Sequence, residues 1–115
     1  MKTALKTLVA VSFILLLASF QLLKTQIAVT IRDELGNTVE GAKVVLYEKE
    51  EDYNTETNPV AEGTTDVKGV VKFKELKAIT YFILAKKDEK DNSGGGEQTG
   101  KLEANRINKV TVVIQ

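Results

Sequence analysis

A chain of 115 residues with 43% hydrophobic side chains holds one domain's worth of core and little more. Its 16 basic residues balance 16 acidic ones, and no basic excess marks it as a nucleic-acid binder. It has no His and no Cys, and its serines are Ser12, Ser19 and Ser93, which excludes Ser–His and Cys–His nucleophile pairs and any zinc, haem or iron–sulfur site of ordinary ligation.

Residues 1–23 read as an export signal. Lys2 and Lys6 form a positive start, and Thr7 to Phe20 is an uncharged, largely apolar run of 14 residues. That length suits a signal and falls short of the ~20 residues needed to span a bilayer. Small residues occur at Ala18 and Ser19, but no clean A-x-A site precedes a mature start. An uncleaved anchor over Thr7 to Leu23 is the alternative. No Cys follows the run, so a lipoprotein anchor is excluded. The expected organisation is a signal peptide or anchor over 1–23, in which a hydrophobic helix is predicted, and one domain over 24–115. Without Lys2 and Lys6, 14 basic residues face 16 acidic ones, a net charge of −2.

From Gln26 onward the apolar period is two. Ile27, Val29 and Ile31 alternate with Ala28, Thr30 and Arg32. Asp33 to Asn37 is a turn. Ala42, Val44 and Leu46 then share one face, with Lys43, Val45 and Tyr47 on the other. Lys49 to Pro59 is polar and reads as a loop, and Val60 to Thr64 as a short edge strand. Asp66 to Gly69 is a turn before Val71 and Phe73. Ile79 to Lys86 is the strongest strand, with Tyr81, Ile83 and Ala85 on one face. Asp88 to Gly100 is a second loop, and Glu97 to Leu102 holds room for a short strand. Ile107 to Ile114 closes the chain, with Val110, Val112 and Ile114 facing one way. About seven short strands spaced by turns predict an all-β, antiparallel sandwich.

Three stretches carry a family resemblance: VTIRDELGNTVEGAKVVLYE (29–48), TTDVKGVVKFKEL (64–76) and TYFILAKK (80–87). Together they resemble the carboxypeptidase regulatory-like domain and, more loosely, collagen-adhesin B-type repeats. The matching positions are Asp33, Gly36, Val39, Gly41, Ala42 and Val44, then Thr65, Asp66, Gly69, Phe73 and Leu76, then Tyr81, Ile83 and Ala85. The resemblance implies a prealbumin-like (Ig-like) sandwich of the kind seen in transthyretin, and is nearly silent on function. The adhesin repeats often carry a Lys–Asn isopeptide starting from the first strand, but the inward positions here are Ile27, Val29 and Ile31, so no such crosslink is expected. Transthyretin-like hydrolases need histidines, which this chain lacks.

Candidate sites are few. The acidic runs Glu48, Glu50, Glu51, Asp52 and Asp88, Glu89, Asp91, with Asn54 and Asn92 near them, offer oxygen ligands for calcium. Neither has cation-loop spacing, and Lys49, Lys87 and Lys90 interleave. No cofactor, metal or catalytic residue is expected. Val45, Tyr47, Phe82, Leu84 and Val113 are apolar residues at outward positions. If they share one sheet they form a binding face, unless the 49–59 or 88–100 loops cover them. The function expected is that of an exported, non-catalytic module, periplasmic, cell-surface or extracellular. It would act by binding a protein or glycan of the bacterial cell envelope, or by structural support there. It would meet the membrane only through the N-terminal segment and would not bind nucleic acid. The alternatives are a carbohydrate-binding module stacking sugars on Tyr47 and Tyr53, and a self-assembling transthyretin-like oligomer paired through edge strands.

Overall fold

Alternation of apolar and polar residues builds two sheets that bury one face each. The computed structural model describes residues 24–95 and 97–115. The expected export segment 1–23 lies outside the described residues. The smaller sheet has the order β4-β1-β8, formed by β1 (Gln26–Asp33), β4 (Val70–Phe73) and β8 (Ile107–Ile114). The larger has the order β3-β2-β5-β6, formed by β2 (Lys43–Tyr47), β3 (Ala61–Thr64), β5 (Thr80–Lys87) and β6 (Lys90–Asp91), with β7 (Gln98–Lys101) also pairing with β5. The fold is an all-β sandwich.

Three expectations need adjusting. Eight strands replace about seven, because Lys90–Asp91 folds back on Lys86 and Lys87 inside the expected second loop. A short helix, α1 (Glu50–Thr55), stands in the expected first loop. Finally, one strand pair is not antiparallel: β1 and β8 run parallel through eight partners, from Gln26↔Ile107 to Asp33↔Ile114. No hairpin links these two strands, so no tight turn dictates their relative direction.

The core lies between the sheets. Ile27, Val29 and Ile31 of β1, Val44 and Leu46 of β2, and Ile83 and Ala85 of β5 are fully buried, as is Ile114 of β8. Phe73, Tyr81, Leu102 and Val112 complete it. Buried polar groups are paired. The Tyr81 hydroxyl accepts the Lys77 N–H at 2.9 Å. The Thr65 hydroxyl accepts the Ala42 N–H at 2.8 Å and donates to the Val39 carbonyl at 2.6 Å, which fixes the entry into β2. Two glycines are required by close approach. A β-carbon on Gly63 would meet Val71 Cγ2 at 2.7 Å, where β3 and β4 pass from one sheet to the other. Gly69 has φ +76°, and a β-carbon there would meet Thr38 at 2.8 Å.

Both ends of the β1–β8 strip are fastened. At its start the Thr25 carbonyl accepts the Leu76 N–H, and the Thr25 hydroxyl accepts the Asn105 N–H. Asn108 donates its side-chain amide to the Gln26 carbonyl at 3.0 Å. At its finish Gln115 and Asp91 exchange backbone hydrogen bonds of 3.0 and 3.3 Å, tying the end of β8 to β6 in the other sheet.

Candidate interaction surface

The outer face of the larger sheet is apolar because β2 and β5 carry hydrophobic residues on both faces. Val45 lies across from Leu84, and Tyr47 from Phe82. These four expected face residues therefore come together. Val113 does not join them, because it sits on β8 opposite Arg32 in the smaller sheet, 47% exposed. Period-two alternation assigns a face but not a sheet.

The gathered patch is covered from within the chain. Val45, Tyr47 and Leu84 are buried, and Phe82 is half-buried. The cover is Tyr53 of α1, whose ring meets Tyr47 edge-on at 6.1 Å and 83° and meets Phe82 at 6.2 Å and 36°. A six-residue helix is too short to persist alone. Glu50, Glu51 and Asp52 in its first turn suit the positive end of its dipole. Glu56 ends it in the left-handed conformation, its N–H directed at the Asp52 and Tyr53 carbonyls. The Glu56 carboxylate then binds Lys86 of β5 at 2.8 Å, so ring packing and one ion pair hold α1 to the sheet.

Two clefts flank this cover. One, of about 160 Å³, is lined by Lys43, Val45, Tyr47, Glu62 and Leu84 among others. The other, of about 350 Å³, lies on the opposite side, among Tyr53, Asn54, Asp91, Ser93 and Glu97. Lys86 and Glu56 border both. Burial, then the nearby Glu56 and Glu62 carboxylates, push the Tyr47 hydroxyl above its ordinary pKa. Burial, then Glu97 and Asp91, do the same for Tyr53. The hydrogen bond to Glu56 raises Lys86. Both phenols therefore stay protonated and Lys86 stays charged at neutral pH, so none of the three is a ready nucleophile.

The acidic runs do not converge. Glu48 pairs with Lys77 at 3.3 Å. Asp91 accepts the Ser93 N–H, which lowers its pKa. Asn92 is buried, accepting the Ala85 N–H at 2.9 Å and donating to the Ile83 carbonyl at 2.8 Å. Its amide thus takes the place of a strand residue beside β5, a role that its position in a polar stretch does not announce. Among the described residues no three carboxylates are placed to hold a metal ion, and no helix is long and apolar enough to cross a membrane.

No protein-family profile and no curated protein matches the chain. Solved structures do. The Bacillus anthracis TIE protein superposes with a TM-score of 0.56 at 24% identity, over 80% of this chain and 17% of that one. The group B streptococcus pilus 2b backbone protein superposes with a TM-score of 0.52 at 22% identity, over 78% of this chain and 40% of that one. The chain shares its fold with part of each. It spans less than half the length of either protein, and at these identities the likeness is one of fold.

Proposed function

We propose that this chain is a non-catalytic structural module of the bacterial cell envelope, built to bear tension between its two ends. The observation that carries this reading is the parallel pairing of β1 and β8 through eight partners. The chain enters at the start of β1 and leaves at the finish of β8, so tension along the chain slides one strand along the other. Sliding strains every hydrogen bond of the strip together, whereas peeling breaks them one at a time. The backbone bonds between Gln115 and Asp91 and the Asn108 bond to Gln26 brace the two ends against peeling.

The fold shared with part of a pilus backbone protein supports this reading. Residues 1–23 serve as the export leader or anchor, and 24–115 form the module. The D-x-x-G turns and the Gly41-Ala42 entry support placing it beside the carboxypeptidase regulatory-like and collagen-adhesin-like sandwiches. Where the larger sheet docks a protein or glycan, half-buried Phe82 and Tyr53 make the contact, since Val45, Tyr47 and Leu84 are buried. Stretching the full chain between its ends tests the proposal. Abrupt, single-step unfolding is the expected result. Gradual lengthening at low force, with β8 leaving first, would contradict it.

A further inference from the structure

The outer face of the smaller sheet differs in charge from the rest of the molecule. With Ile27, Val29 and Ile31 inward, its outward positions are Gln26, Ala28, Thr30 and Arg32 on β1. Register adds Val70 and Lys72 on β4, and Ile107, Lys109, Thr111 and Val113 on β8. Three of these are cations and none is an acid, although acidic residues outnumber basic ones over 24–115. Ala28 lies between Lys72 and Lys109, and Thr30 between Val70 and Thr111. The ion pairs of the described residues use Lys77, Lys86, Lys90 and Arg106, and leave Lys72 and Lys109 exposed without a carboxylate partner. Arg32 donates to the Gly36 carbonyl at 2.7 Å. Asp66, at the adjoining turn, lies near enough to feel Lys72, and its carboxylate already accepts the Lys68 and Val70 N–H groups.

The shape of this face selects among anionic partners. The eight residues of β1 extend about 26 Å, and the lysine-bearing strands on either side stand about 10 Å apart. Such a strip is far smaller than the ~800 Å² per partner of a stable globular interface. It fits a linear chain, with small Ala28 and Thr30 as floor, Lys72 and Lys109 facing each other across Ala28, and Arg32 further along β1. Lysine binds phosphate as a compact point charge, and the Thr30 and Thr111 hydroxyls add donors. None of the outward residues is aromatic, so nucleic-acid bases would find no stacking platform. We propose that this strip binds a linear phosphate polyanion without bases, lying along β1 between Lys72 and Lys109.

The test uses the full chain and labelled inorganic polyphosphate, followed by fluorescence anisotropy. Saturable binding is expected despite the net negative charge of 24–115. Three ionic contacts predict a loss of affinity on the order of 20-fold between about 50 and about 200 mM salt. The double variant Lys72→Glu/Lys109→Glu should bind far more weakly, with the salt effect reduced to about threefold. Lys43→Glu/Lys101→Glu changes the net charge equally on the larger sheet and should bind as the parent does. Thermal midpoints confirm that both variants fold. The proposal is overturned if low-salt binding is absent or if both double variants lose affinity equally. Equal affinity for a polyuronate would show that phosphate is not selected, and tighter binding of a single-stranded oligonucleotide would show that bases are. Charge-dependent self-association in place of polyphosphate binding would assign the strip to a second copy.

Discussion

Asp33 and Asp66 each accept two backbone N–H groups, from residues two and four positions ahead. The pattern D-x-x-G thus closes both the 33–36 and the 66–69 turns in the same way, which the sequence motif shows directly. Hydrogen bonds from Asn37 hold the Asp33 carboxyl below its ordinary pKa, and those from Val70 and Lys68 do so for Asp66. A folded pKa below the unfolded value of about 3.9 contributes stability above that value, and the contribution is lost as pH falls through the folded pKa. The thermal midpoint is therefore expected to hold from about pH 7 to about pH 5 and to drop below about pH 4. Asp33→Asn with Asp66→Asn should make that acid limb shallower, and an unchanged limb would show that the turns do not control it. In the core, Phe73→Ala should cost about 3–5 kcal/mol and Ala42→Leu about 1–3 kcal/mol, read from denaturant midpoints. Unchanged midpoints would put these two side chains outside the core, against their burial here.

Among the elements, β1, β5 and β8 are legible in the sequence because each alternates over enough residues to show period two. α1 is not, since six residues carrying Tyr53 as their one large apolar side chain give no helical period. Neither is the strand-like role of Asn92, which depends on where a polar loop happens to meet β5. The gathering of Val45, Tyr47, Phe82 and Leu84 follows from the β2–β5 register, while the separation of Val113 follows from its pairing with β1. Tyr53→Ala tests the cover. Each ring pair lost should cost about 0.5–1.5 kcal/mol beyond its buried area. The uncovered Tyr47, Phe82 and Leu84 should also bind a hydrophobic dye that the parent does not. A variant with parental stability and no dye binding would mean that α1 is an ornament of the loop and leaves the sheet protected by other means.

At the scale of the whole molecule, the two sheets have different outer faces. One is apolar and capped by a helix with an acidic first turn, and the other is open and cationic. Sequence parity identifies outward residues, but only the pairing of β1 with β4 and β8 reveals that Arg32, Lys72 and Lys109 share a surface. The same pairing sets the direction of β8 along β1, which no local pattern encodes and from which the mechanical reading comes. That reading makes resistance a property of pulling direction, beyond overall stability, because forced unfolding follows the barrier along the pulled coordinate. The most direct measurement grips one folded molecule in two ways. Handles at Lys24 and Gln115 slide β1 along β8, whereas handles at Leu35 and Gln115 pull the adjacent finishes of the two strands apart and peel β8 away. A several-fold higher unfolding force is expected for the first grip than for the second, and equal forces in the two directions would contradict tension bearing by the β1–β8 pair.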